Sequence, residues 1–136
     1  MLGDGNVSGM NSQLFTSLGI EVESVEKDQV VMTMPVDERT HQPYGYLHGG
    51  ASVLLAETVA SMGGALHIDL ETQAVFGMEI NANHIRSKRE GKVIATGTPI
   101  HIGRTSMVWN IEIRDEENKL ICISRCTLGV TTRERH

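Results

Sequence analysis

This sequence predicts an α+β domain in which an antiparallel sheet curls around one central helix, and three features predict it. Gly49 to Leu66 is nearly continuous in apolar and small residues, with Glu57 as the only ionisable side chain between Ala51 and Leu66. A helix with so little polar face must be covered on almost every side. Two segments before that helix and four after it read as strands bounded by turn formers, and two of them, Val75 to His84 and the Met107 to Ile113 segment, alternate between apolar and polar residues as half-buried strands do. The 136 residues make one domain by length, with a thin core that buries about two thirds of the unfolded surface.

Residues 1–10, with Gly3, Gly5 and Gly9, read as a flexible N-terminus, and residues 11–136 as the single domain. No strand precedes those glycines, so they do not form a phosphate-binding turn. Asn11 to Leu18 reads as a short helix stopped by Gly19. Ile20 to Val25 and Gln29 to Val36 read as strands around the polar Glu26-Lys27-Asp28 turn. Asp37 to Leu47 is a polar loop, and the long helix starts at about Gly49. Beyond it, Phe76, Met78, Ile80 and Ala82 alternate with Gly77, Glu79, Asn81 and Asn83, which predicts a half-buried strand over Val75 to His84 with the first four on one face. Lys92 to Ile100 follows the Glu90-Gly91 turn. Met107, Trp109, Ile111 and Ile113 then alternate with polar residues, and Asp115 to Asn118 turns the chain into Leu120 to Val130.

Composition excludes several functions. The chain carries 12 Lys and Arg against 17 Asp and Glu, a net charge of -5, without long basic runs, which argues against a nucleic-acid partner. Aromatic residues are 4%, too few for base-stacking platforms. The first residues lack the positive and apolar regions of a secretory signal. Gly49 to Leu66, interrupted by Glu57 and Gly63-Gly64, barely reaches the ~18 residues of a membrane span. A cytoplasmic protein with no membrane partner is expected. Cys122 and Cys126, four apart on a strand, are separated by roughly 13 Å, well beyond the ~7 Å that a disulfide spans. With no helix start or base beside them they read as buried strand residues.

Several catalytic templates are also missing. His41, His48, His67, His84, His101 and His136 show no H-x-x-x-H spacing and the cysteines no C-x-x-C, so no metal site is expected. Ser52, in Gly50-Ala-Ser-Val-Leu, lacks the second glycine of a serine-hydrolase elbow, and there is no P-loop. What stands out is Glu57. A lone carboxylate on an apolar helix either faces a solvent channel, pairs with a cation such as Arg86, or serves as a tuned base or nucleophile. His48-Gly49-Gly50 lies where the loop becomes the helix, and the amides there carry the positive end of the helix dipole and can stabilise an oxyanion. Ser61 is one turn after Glu57 on the same face, placed to hold water or the carboxylate.

Gln42, His48-Gly49-Gly50, Glu57 and Ser61, followed by Asn81-Ala-Asn-His84-Ile-Arg86, resemble the hotdog-fold acyl-CoA thioesterases. Within them the chain resembles the 4-hydroxybenzoyl-CoA thioesterase branch, whose acid is a Glu on the central helix, and looks most like the 1,4-dihydroxy-2-naphthoyl-CoA and aryl-carrier-protein thioesterases. The similarity runs from about Leu18 to Val130. It implies that Glu57 is the nucleophile or the general base, that the Gly49 N–H polarises the thioester carbonyl, and that His48 and Gln42 position carbonyl and water, with Ser61 orienting water. The other hotdog branch uses an Asp in the loop, where this chain has Gln42. No cofactor is implied beyond the coenzyme A of the substrate.

Coenzyme A brings phosphates, and Arg86, Lys88, Arg89 and Lys92 cluster at one strand end. The resemblance implies nucleotide contacts from His84, Ile85, Arg86 and Ser87, and from His101, Gly103, Arg104 and Ser106 in what reads as a nearby loop, often of the neighbouring subunit. Gly77 is implied as a lining residue of the acyl pocket. The expected activity is hydrolysis of a small or aromatic acyl-CoA or acyl-carrier-protein thioester, with a possible place in menaquinone biosynthesis. The alternatives are a hydroxyacyl-thioester dehydratase using His48 or His84 with Glu57, or a non-catalytic acyl-CoA-binding module. One helix and one sheet leave an edge and a cleft open, so a homodimer, or a dimer of dimers making a homotetramer, is expected, with Glu57 of one copy facing His84 and Arg86 of the other.

Overall fold

The computed structural model describes residues 12–133, so the segment 1–10 and Asn11 lie outside the described residues. Helix α1 (Gln13–Ser17) leads into β1 (Glu21–Glu26) and β2 (Gln29–Pro35); the central helix α2 (Gly49–Ala65) follows; and β3 (Gln73–His84), β4 (Lys92–Ile102), β5 (Ser106–Asp115) and β6 (Leu120–Thr132) complete the chain. The strands form one six-stranded sheet in the order β1-β2-β4-β5-β6-β3. Every neighbouring pair is antiparallel. β2, β3, β4, β5 and β6 all pack against α2, so the sheet wraps the helix as the apolar pattern of Gly49 to Leu66 requires.

Leu55, Ala56, Val59 and Ala60 of α2 are fully buried, against Met32, Ala95, Trp109, Ile111 and Leu128 of the sheet. Gly63 and Gly64 weaken a helix by about 1 kcal/mol each relative to Ala. Their place is decided by packing: a Cβ on Gly63 would run into the Trp109 ring, and one on Gly64 would lie 2.5 Å from Leu128 Cδ1. α1 is stopped at Gly19, whose φ of 75° is the left-handed conformation glycine adopts freely.

The pattern of β3 differs from the expectation. A bulge falls between Gly77 and Glu79, so the alternation changes face there. Ile80 and Ala82 pack on the core, whereas Phe76 and Met78 are 60% and 70% exposed. Met78 lies on the outer side of the sheet over Gly129, and it is Gly77 that faces α2. The two sheet edges also differ in kind. β1 carries the exposed Glu21, Glu23 and Glu26 and a bulge between Val22 and Ser24, features that discourage a further strand, while β3 presents Phe76 and Met78.

Past β3, an ion pair holds the chain in place. Lys88 Nζ lies 2.8 Å from Glu116 Oε1, and the Lys92 N–H donates to Glu116 Oε2 at 3.0 Å. The Lys88 ammonium first, with main-chain N–H groups adding to it, lowers the Glu116 carboxyl from 4.5 to about 2. A carboxylate with a depressed folded pKa adds stability above pH 4.5 and loses it as the pH falls towards 2. Because 41% of the Glu116 side chain is exposed, screening holds the gain below about 1 kcal/mol. Glu116→Gln is expected to lower Tm by a few degrees at pH 7 in low salt, with the difference closing between pH 4.5 and about 2 in a pH series of thermal unfolding.

Candidate active site

The loop before α2 is built around Gln42. Its Oε1 accepts from the N–H groups of Tyr44 at 2.6 Å and Tyr46 at 3.1 Å, and its own N–H donates to the Tyr46 carbonyl at 2.7 Å. With the oxygen so engaged, the side-chain amide nitrogen is the end left to donate. The Leu47 N–H donates to the Lys88 carbonyl at 2.8 Å, tying this loop to the segment after β3. Arg89 lies over the Tyr46 ring, 4.9 Å from its centroid.

His48 is the N-cap of α2. Its Nδ1 accepts from the Gly50 N–H at 2.7 Å, and its carbonyl accepts from Ala51 at 3.0 Å and Ser52 at 3.3 Å. Of the first four amides of α2, the Gly49 N–H alone has no partner among the described residues. The His84 ring closes over it, since a Cβ on Gly49 would lie 3.0 Å from His84 Nε2. The free donor at the positive end of the helix therefore has no room for a side chain beside it.

Two grooves of about 390 Å³ each flank α2. One brings together Gln42, Gly49, His84, Ile85, Arg86 and Ser87 from the predicted set, and adds Tyr46, Leu47, Ser52 and Ile121. The Ile85 and Arg86 N–H groups both donate to the Ile121 carbonyl, which fixes this wall. The other groove holds Glu57 and Ser61 together, as their spacing predicts, with Leu54, Thr58 and Met62 of α2 and Ser12, Leu14 and Phe15 of the N-terminal segment. Gly77 faces Glu57, and a Cβ there would collide with Glu57 Oε2. Glu57 is half-buried at this opening and pairs with no cation among the described residues; Arg86 lines the other groove. Along α2, eight residues from Gly49 to Glu57 span about 12 Å.

His48 lines neither groove of its own chain; its exposed ring caps α2 through Nδ1. One expectation is corrected. The His101, Gly103, Arg104 and Ser106 turn is not near Arg86. Ser106 pairs with Gly129, which pairs with Phe76, whereas His84 pairs with Cys122 and Cys122 with Ile113. The turn and Arg86 thus sit at opposite ends of the sheet, separated by roughly 26 Å over the eight residues of β3. Within the turn, Gly103 donates to the Ser106 carbonyl at 2.8 Å and the His101 ring covers Gly103.

Ser52, 1% exposed and without a side-chain partner among the described residues, was hidden in the sequence by its role as an ordinary small helix residue. Leu54 could have been found, because it stands three before Glu57 on the same helix face; Met62, five after it, and Leu14 carry no such signal. Cys126 behaves as a buried thiol: burial first, then the Glu57 and Glu79 carboxylates, push it up to about 12, so it is not a thiolate nucleophile. Among the described residues no three His, Cys, Asp or Glu side chains are grouped to hold a metal ion, and no helix is long and apolar enough to cross a membrane.

Comparison with known proteins identifies the family. A family model described as Thioesterase superfamily matches residues 44–122, more than half of the chain. The chain is 53% identical over 119 residues to the 1,4-dihydroxy-2-naphthoyl-CoA hydrolase of Listeria monocytogenes serotype 1/2a (strain 10403S), covering 88% of this chain and 96% of that protein. It is 47% identical over 117 residues to the proofreading thioesterase EntH of Cronobacter turicensis, covering 86% and 85% of the two. The crystal structure of thioesterase HI1161 from Haemophilus influenzae superposes with a TM-score of 0.89 at 49% identity, covering 100% of this chain and 94% of that one. The chain therefore belongs to the thioesterase superfamily, and its sheet wrapped on one helix is the hotdog fold of a thioester hydrolase.

Proposed function

We propose that this protein hydrolyses an aromatic or small acyl-CoA thioester, of the 1,4-dihydroxy-2-naphthoyl-CoA or benzoyl-CoA kind, to the free acid and coenzyme A. The observation that carries the reading is the division of the site along one helix: a carboxylate, Glu57, in one groove, and an unpartnered amide, that of Gly49, in the groove that also holds Arg86, about 12 Å apart. Two copies with their helices antiparallel would bring the Glu57 of one against the Gly49 of the other. The edge of β3, where Phe76 and Met78 are exposed, is where they would join, giving a dimer that can pair again into a tetramer.

In such a site the thioester carbonyl oxygen sits at the Gly49 N–H, with the Gln42 amide nitrogen as a second donor. The phosphates of coenzyme A lie towards Arg86, with Ser87 and His84 beside it; the His101 to Ser106 turn would reach them only from another copy. Glu57 takes a proton from water as the water oxygen bonds to the carbonyl carbon, Ser61 holding that water. The C–S bond then breaks, and the coenzyme A sulfur leaves with the proton returned by Glu57. In the nucleophilic variant Glu57 bonds to the carbon itself, expels the thiolate and is freed by water attacking the anhydride. Single turnover in H₂¹⁸O separates the two, since only the second can label Glu57. Thioesters are activated, so a positioned base and an oxyanion donor suffice without a cofactor.

The test is thiol release from benzoyl-CoA, 1,4-dihydroxy-2-naphthoyl-CoA, short acyl-CoAs and the matching carrier-protein thioesters. Turnover of the aryl-CoA substrates is expected; no release from any member would overturn the reading. Gly77 supplies a sharper check. The atom that a Cβ at Gly77 would strike is the end of the flexible Glu57 side chain, so Gly77→Ala is expected to spare Tm and displace the carboxylate. A loss of about 10- to 100-fold in kcat follows from misplacing the reacting group by an ångström or so, measured beside thermal unfolding.

A further inference from the structure

The geometry points to Leu14, on the short helix α1, as a specificity-determining wall of the acyl-binding groove, selecting bulky over small acyl groups. This rests on the hydrolytic reading of Glu57. Whatever attacks or activates water there must stand about 3–3.5 Å from the carbonyl carbon, so the acyl group bonded to that carbon lies in the groove around Glu57. The charged end of the thioester belongs to the other groove, with Arg86. The acyl group therefore meets the apolar walls, Leu54 and Met62 on α2, and Leu14 and Phe15 on α1.

These four are not alike. Met62 is 3% exposed and Leu54 packs against the core, so both belong to the scaffold. Phe15 is 8% exposed and anchors α1. Leu14 is 55% exposed, on the α1 wall, the one that among the described residues comes from outside the sheet and central helix. It is also held in place: Ser12 Oγ accepts from the Phe15 N–H at 3.2 Å, Gln13 donates to Ser17 Oγ at 3.1 Å, and the Ile20 N–H donates to the Phe15 carbonyl at 3.3 Å. An exposed leucine by itself means little. One fixed by its buried neighbour over a 390 Å³ groove that contains a carboxylate is positioned to touch a ligand. An acyl group that fills more of the groove meets more of that wall, so the contact discriminates by acyl size.

The experiment compares Leu14→Ala and Leu14→Trp with wild type on benzoyl-CoA and propionyl-CoA. Contacts of this size change kcat/KM about 10-fold or more per group removed from a pocket. The benzoyl-to-propionyl ratio of kcat/KM is expected to fall about tenfold or more in both variants, through lost contact in the first and a filled groove in the second. A ratio within about twofold of wild type in both overturns the assignment. A second measurement needs no turnover: the affinity of phenacyl-CoA, the non-hydrolysable ketone analogue, against that of free coenzyme A, by calorimetry. Leu14→Ala is expected to weaken phenacyl-CoA about tenfold and leave coenzyme A unchanged; equal effects on both overturn the assignment. If wild type releases no thiol, the hydrolytic reading fails, and the analogue still decides the role of Leu14.

Discussion

Replacing Glu57 by glutamine is expected to lower kcat for benzoyl-CoA hydrolysis about 10²- to 10⁴-fold, the usual contribution of a positioned base, with Tm unchanged or slightly raised. Glutamine keeps the shape and removes only the charge and the basicity. Glu57 makes no ion pair among the described residues and lines an open groove, so little native interaction is lost. Thiol release and thermal unfolding, measured side by side, read the two effects separately; activity within a few-fold of wild type would remove Glu57 from the mechanism. A mixture extends the test to the shared site. Glu57→Gln and Gln42→Ala disable opposite grooves, so a mixed dimer retains one intact site. Co-refolding the two inactive variants is expected to restore a substantial fraction of wild-type activity, whereas a site contained within one chain would restore none.

Trp109→Ala is expected to destabilise the fold by about 3–5 kcal/mol, the range for removing a buried Trp or Phe side chain. Trp109 has no exposed surface, fills the space that Gly63 leaves open, and lies tilted against His67 with ring centroids 6.1 Å apart. Against a total stability of about 5–15 kcal/mol, that loss unfolds a large fraction of the protein on mild warming. Trp109→Phe separates the two components of the side chain. The indole N–H is buried with no partner among the described residues, a cost of about 1–3 kcal/mol. Phenylalanine removes that cost while leaving a smaller cavity, so its net effect is expected to be no more than about 2 kcal/mol, by denaturant unfolding of both variants.

The strands, the central helix and the turns are legible in the sequence to within one or two residues, because each is written in local residue patterns and turn formers. Gly49–Ala65 follows from a run of apolar and small residues that leaves almost no polar face. The candidate site is half legible. Glu57 and Ser61 on one face follow from helical spacing; Gln42 and Gly49 enter with Glu57, and Arg86 as a nucleotide contact, through the family resemblance, and the structure puts Gln42, Gly49 and Arg86 in one groove. The capping by His48 is a local interaction that an N-cap position could have suggested.

Local periodicity determined the α+β class, the buried helix and the singular position of Glu57, since a helix or strand face is fixed by residues a few positions apart. Only the tertiary structure decided which way β3 faces, because one extra residue at the Gly77 bulge turns every side chain before it to the opposite side. The same holds for the distance between the His101 turn and Arg86, which is set by strand register, and for Leu14 over the Glu57 groove, where residues 43 positions apart meet through packing. Pairing and packing join residues that no sequence window contains. They place Glu57 in one groove beside α2 and Gly49 in the other.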